Sequence, residues 1–365
     1  MSAITRLTDS RAALCLVVCA LTLSFASTAR GQERQTVSGA DVAIFNVAGR
    51  VRLESGTGSE VTVEMTRGGR DGAKLKLAVS ELRGRNTFRV IYPTDDDIVY
   101  SGDRDDRWGS NTDLRIDGDG TWGGNVRDGF RGDRVRVKTR GSGTEAWADL
   151  VVRVPTGKTV SVYLGVGELT ANRVTADLRL DVSAARVVAT GTRGRLDIDA
   201  GSGGIEVSDV SGSALIVDNG SGGVTLTDVQ SERCTIDTGS GGVGGSGVQC
   251  GELRVDVGSG SVRLDGIRSS DVLIDAGSGG VTLGFVSSPK RLSVEAGSGS
   301  VSVGLPATVD ATVDIETGSG GITTDFPIRT TSVQRDRLRG TIGDAAGRIT
   351  IETGSGSVRL RKNAN

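Results

Sequence analysis

The chain has 365 residues, a formal net charge of −2 and no histidine. The missing imidazole excludes Ser-His-Asp and Cys-His catalysis, and a weakly acidic chain without a basic run is not a nucleic-acid binder by default. With 56 glycines and only 3% aromatic residues, a conventional thick core is excluded in favour of thin stacked layers.

The first 31 residues read as a signal peptide. Arg6 and Arg11 precede an apolar stretch from Ala12 to Ala26, and Ser27 to Gly31 are small or polar, which is the order of a secretory leader. The stretch is shorter than the roughly 20 residues of a membrane-spanning helix. Cys15 and Cys19 follow the bulky Leu14 and Val18, so lipid anchoring is not expected. The mature chain is expected to be free of transmembrane segments and to reside in the periplasm or at the cell surface.

Residues 32–94 form an N-terminal β-strand region. Apolar and polar residues alternate from Val42 to Glu54 and from Val61 to Glu64, the period of half-buried strands. Residues 95–145 are an insertion rich in Asp, Arg and Gly, whose composition predicts an exposed or partly disordered loop. Trp108 and Trp122 within it are the candidate ligand contacts, since an exposed Trp stacks on sugars; the alternative is a core role. Asp113, Asp117 and Asp119 suggest a calcium loop but lack the EF-hand spacing and its closing Glu.

Residues 146–365 carry an internal repeat. Gly-Ser-Gly begins at 201, 220, 239, 258, 277, 297, 318 and 354, and alternation on both sides predicts two short strands joined by a tight corner. At an offset of about 19 residues, aliphatic residues align with aliphatic residues. Ile198, Val217, Ile236, Val255, Ile274, Val294 and Ile315 form one column, Ile205 to Ile322 a second, and Val210, Val229, Val248, Ile267 and Val286 a third. The prediction is an all-β chain wound as a β-solenoid, with one irregular rung at 325–348 that serves as an excursion loop or cap. Its glycines are expected where the chain turns with positive φ or without a Cβ.

Two candidate sites follow from the repeat. An acid stands two residues before every corner: Asp199, Asp218, Asp237, Asp256 and Asp275, then Glu295, Glu316 and Glu352. Stacked carboxylates repel by about 1 kcal/mol per pair in water, so they either bind a hard cation such as Ca²⁺ or accept hydrogen bonds from the N–H groups of their own turns. A serine occupies the middle of every corner as a turn residue or a polar contact face. Cys234 and Cys250 remain in the mature chain and are candidates for a disulfide in an exported protein.

These features together resemble a known family. Ile44-Phe45-Asn46-Val47-Ala48-Gly49-Arg50-Val51, the lead-in Val152-Arg153-Val154-Pro155, the Gly-Ser-Gly corners and the ending Gly340-Thr341-Ile342-Gly343-Asp344 are similar to the bacterial adhesin-like family of β-strand-repeat proteins of unknown function. The resemblance runs from about Val37 to Leu360 and implies a single-stranded, right-handed β-helix-like fold, export to the envelope and a binding or structural role without catalysis. The expected partners are an envelope protein, glycan or matrix component, with self-association through the solenoid ends, and no cofactor unless Ca²⁺ binds the acids. The alternatives are an Asp-based carbohydrate-active or metal-dependent β-helix enzyme and an envelope-stress accessory protein.

Overall fold

The computed structural model describes residues 32–102, 111–122 and 132–363; the predicted signal peptide and Trp108 lie outside them. Apart from a 3-10 turn at Gly72–Lys74, the regular structure of the described residues is all β, arranged as one large sheet of stacked strands and a small four-stranded sheet.

Along the inner side of the parallel strands, aliphatic residues pair with aliphatic residues. Strand Thr159–Asn172 lies parallel to Asp177–Thr190, which lies parallel to Leu196–Ser202. Ile198 then stands beside Val217, Val217 beside Ile236, Ile236 beside Val255, Val255 beside Ile274 and Ile274 beside Val294. Each of these residues is at most 1% exposed. The arrangement follows from the alternation: each strand directs every second side chain inward and gives its backbone N–H and C=O groups to the strands of neighbouring turns. A turn thus has a first side (such as 196–200), a second (205–208) and a third (210–212), with the Gly-Ser-Gly corner between the first two.

The corner glycines answer mainly to close stacking. A Cβ on Gly239 would lie 2.6 Å from the Gly220 carbonyl oxygen directly below it, although the φ of Gly239 is not in the left-handed region. Gly222, in the last position of its corner, has φ +115 and needs both freedoms.

The order at the C-terminal end differs from the predicted column. Val294 stands beside Ile351, and Ile351 beside Ile315. The chain passes over one position to form Ala311–Thr317, then makes an antiparallel hairpin of Arg329–Val333 and Arg337–Ile342 along its outer edge. Strands Gly347–Thr353 and Val358–Lys362 return into the position left open. The irregular segment is therefore largely a hairpin that covers the edge of Ala311–Thr317. The third column also changes: a register shift after Leu264 sets Phe285 opposite Ile267. Phe285 is fully buried while Val286 is 52% exposed.

At the other end, Asp41–Ser55 lies parallel to Thr159–Asn172, and its far edge is shared by Arg85–Ile91 and Trp147–Val154. Antiparallel strands Lys76–Leu82, Val61–Gly68 and Gln32–Val37 continue outward from there.

The described parts of the insertion are not an exposed loop. Ile98–Val99, Asn111–Ile116, Asp133–Lys138 and Thr144–Glu145 form the second sheet. Its buried Ile98, Leu114, Ile116, Val135 and Val137 join the main core. Asp and Arg alternate with these aliphatic residues, so a period of two underlies a composition that looks disordered on average.

Candidate functional site

The parallel register turns the predicted acids into a file. Asp199 stands beside Asp218, followed by Asp237, Asp256, Asp275, Glu295, Glu352 and Glu316, and all are exposed. The interleaved C-terminal strand sets Glu352 before Glu316. One carboxylate per strand is a line rather than a cage: among the described residues no three His, Cys, Asp or Glu side chains converge to hold a metal ion, whereas calcium takes six to eight oxygens around one point.

The file begins one strand earlier than its motif. Asp181 pairs with Asp199 and, on its other side, with Tyr163. Tyr163 stacks on Phe45 at 4.4 Å between ring centroids and meets the edge of Trp122 at 6.2 Å. Burial first, and the Asp199 charge second, push the Asp181 carboxyl up to about 6. Asp218 and Asp237 are raised by the same causes, burial ahead of their neighbours' charge. No Gly-Ser-Gly follows Asp181, so the motif missed it; the signal was its distance from Asp199, close to one turn.

The residue that closes the corner stands one place nearer the glycines than the acids do. Asn219 Nδ2 donates to the Gly222 carbonyl at 2.8 Å, Thr238 Oγ1 to Gly241 at 2.5 Å and Thr317 Oγ1 to Gly320 at 2.8 Å. These side chains point inward and are at most 1% exposed. They satisfy carbonyls that a buried corner would otherwise strand.

Trp122 is corrected from a ligand contact to a core residue. It is 3% exposed and bridges Ile116, because the small sheet folds its apolar side onto the Phe45–Tyr163 stack. Trp147 is half-buried, with its ring set edgewise to Tyr100. Two of the three acids of the suspected calcium loop have other partners: Asp113 bonds Arg134 and Arg136, and Asp119 accepts from the Thr121 N–H and hydroxyl. Cys234 and Cys250 are bonded to each other with their Cα atoms 6.0 Å apart.

On the third side lies a feature that the repeat motif did not single out, an open cleft of about 480 Å³. Gln230 and Glu232 point out of one strand with buried Ser231 between them; Gln249 and Gly251 follow on the next with Cys250 between, and Arg268 and Ser270 on the next turn with Ser269 between. The buried residues form a bonded floor. Ser231 Oγ donates to the Gly212 carbonyl at 3.1 Å, the Cys250 N–H donates to Ser269 Oγ at 2.9 Å, and the disulfide ties Cys250 to the first side. The sequence signal was present, since Gln230, Gln249 and Arg268 each follow a residue of the third aliphatic column.

Among solved structures, the chain is similar to a "putative cell adhesion protein from Clostridium sporogenes ATCC 15579", with 11% identity over 91% of this chain and 99% of that one. The TM-score is 0.22, a level that supports no inference. No curated protein matches the chain. The family model described as Toastrack DUF4097 matches residues 109–361, well over half of the length and including every Gly-Ser-Gly corner. The chain belongs to the Toastrack DUF4097 family.

Proposed function

We propose that the protein is an exported, non-catalytic β-solenoid that works as an adhesin-like binding surface in the cell envelope or outside it. The observation that carries this reading is the like-on-like register from Thr159 to Ala296. It sets a carboxylate beside a carboxylate on successive turns from Asp181 to Glu295, about 4.8 Å apart. Such a surface suits an extended partner held by many weak contacts better than a small substrate held around one reacting atom. The Cys234–Cys250 disulfide supports an oxidising compartment. Among the described residues no helix is long and apolar enough to cross a membrane.

The test is co-sedimentation of the purified protein with insoluble peptidoglycan, chitin, cellulose and collagen, with reducing ends assayed in the same tubes. Saturable binding without new reducing ends is expected. Binding to none of these materials would count against the adhesin reading. Release of reducing ends that one Asp substitution abolishes would establish the carbohydrate-active enzyme instead.

A further inference from the structure

We infer that the cleft on the third side binds an uncharged linear oligosaccharide lying along the stack axis, a proposal that rests on the adhesin reading and names its ligand. The cleft has two rims because residues two apart on a strand point to the same face. Ser211, Gln230, Gln249 and Arg268 form one rim; Glu232, Gly251 and Ser270 form the other. Gly251 opens the middle by presenting no side chain, and the volume of about 480 Å³ falls within the range of small-ligand sites.

The chemistry of the rims selects the ligand. Each Gln amide offers both donors and an acceptor, the combination that meets adjacent hydroxyl or acetamido groups of a sugar. Among the described residues, neither amide has a hydrogen-bond partner in the chain and Arg268 has no ion-pair partner. Glu232 and Arg268 leave the cleft without net charge, which disfavours a polyanion.

Gln230 and Gln249 stand on adjacent strands in direct register, about 4.8 Å apart, so their amides meet successive units of a chain lying along the stack.

The experiment is calorimetric titration of the protein with β-1,4-linked N-acetylglucosamine oligomers from dimer to hexamer, with a heparin fragment and an extended peptide as comparison ligands. Affinity should rise to the tetramer and then level off, because Ser211, Gln230, Gln249 and Arg268 supply four stacked positions. Q230A/Q249A should weaken tetramer binding by about tenfold, the effect of losing two modest hydrogen-bonding groups. T225A, on the exposed second side, should change nothing. If the double variant unfolds early, backbone amide shifts of the unaltered protein keep the test decisive: they must concentrate at Ser231, Gly251 and Ser270. Four results would overturn the assignment: no saturable binding of any oligomer, tighter binding of heparin or peptide, binding indifferent to Q230A/Q249A, or shifts centred elsewhere. If Q230A/Q249A still sediments with the insoluble materials while the oligomers fail to bind, only the cleft proposal falls; if the unaltered protein binds neither, the adhesin reading falls with it.

Discussion

At the scale of single residues, Asp181 shows how position within a repeat changes a side chain's energetics. Its counterparts Asp199 and Asp218 are exposed, whereas Asp181 lies between another carboxylate and the aromatic stack, which places its folded-state titration at about 6. An unfolded Asp titrates near 3.9. Below that value both states hold the proton and the folded protein keeps its full stability; as pH rises through 6 the folded state must carry a poorly solvated charge, and stability is lost. D181N should therefore leave stability nearly unchanged at pH 4 and raise it at pH 7 by up to about 3 kcal/mol, the worth of a two-unit shift. Urea unfolding of both proteins at the two pH values checks this, and an equal effect at both would refute it. Carboxylates shifted downward, such as Glu64 through its bond from Arg153, tilt stability the other way but are common to both proteins.

At the scale of elements, the corners are held by stacking. The Cβ of an alanine at 239 would meet backbone below it, and Gly258 stacks on Gly239 in the same manner, at 2.4 Å. Backbone on both sides cannot move aside as a flexible side chain can. G239A should therefore cost about 1–3 kcal/mol, the range for overpacking. Gly321 follows another corner of the same motif, but a Cβ there meets nothing within 4 Å. G321A should change stability by less than about 1 kcal/mol. Chemical denaturation midpoints of the two variants separate close stacking from turn conformation; equal losses would show that stacking is not what the first glycine serves.

At the scale of the whole molecule, the chain closes its C-terminal end out of sequence order. Gly347–Thr353 is bonded on one edge to Arg291–Ala296 and on the other to Ala311–Thr317, so it joins two strands that do not pair with each other. Removing residues 347–363 would leave those strands facing a gap of about 9–10 Å, twice the strand spacing. Hydrogen exchange followed by mass spectrometry should then show protection lost across 291–324. In a stack wound strictly in order, the same truncation would strip only the last turn, and protection retained at 291–317 would show that the gap closes. This crossing also makes the final pairing a long-range contact, since Arg291 meets Arg348, and such contacts form slowly because loop closure precedes any gain from pairing.

The sequence by itself determined what repeats. The aliphatic columns, the Gly-Ser-Gly corners and the outward acids were legible because each turn pairs with a near copy of itself at a nearly constant offset, so local alternation and periodicity already contain the tertiary partner. Gln230, Gln249 and Arg268 lay in the same register and were readable in principle, but nothing in the alternation says that Gly251 opens a cleft between two rims. Tertiary structure alone decided whatever leaves the constant offset: Glu352 preceding Glu316 in the file, Phe285 displacing Val286 from the core, the insertion folding as a second sheet, and Trp122 covering Tyr163 rather than facing solvent. Those placements depend on strands far apart in the chain fitting one another's shape, and shape complementarity between unlike segments leaves no period in a sequence.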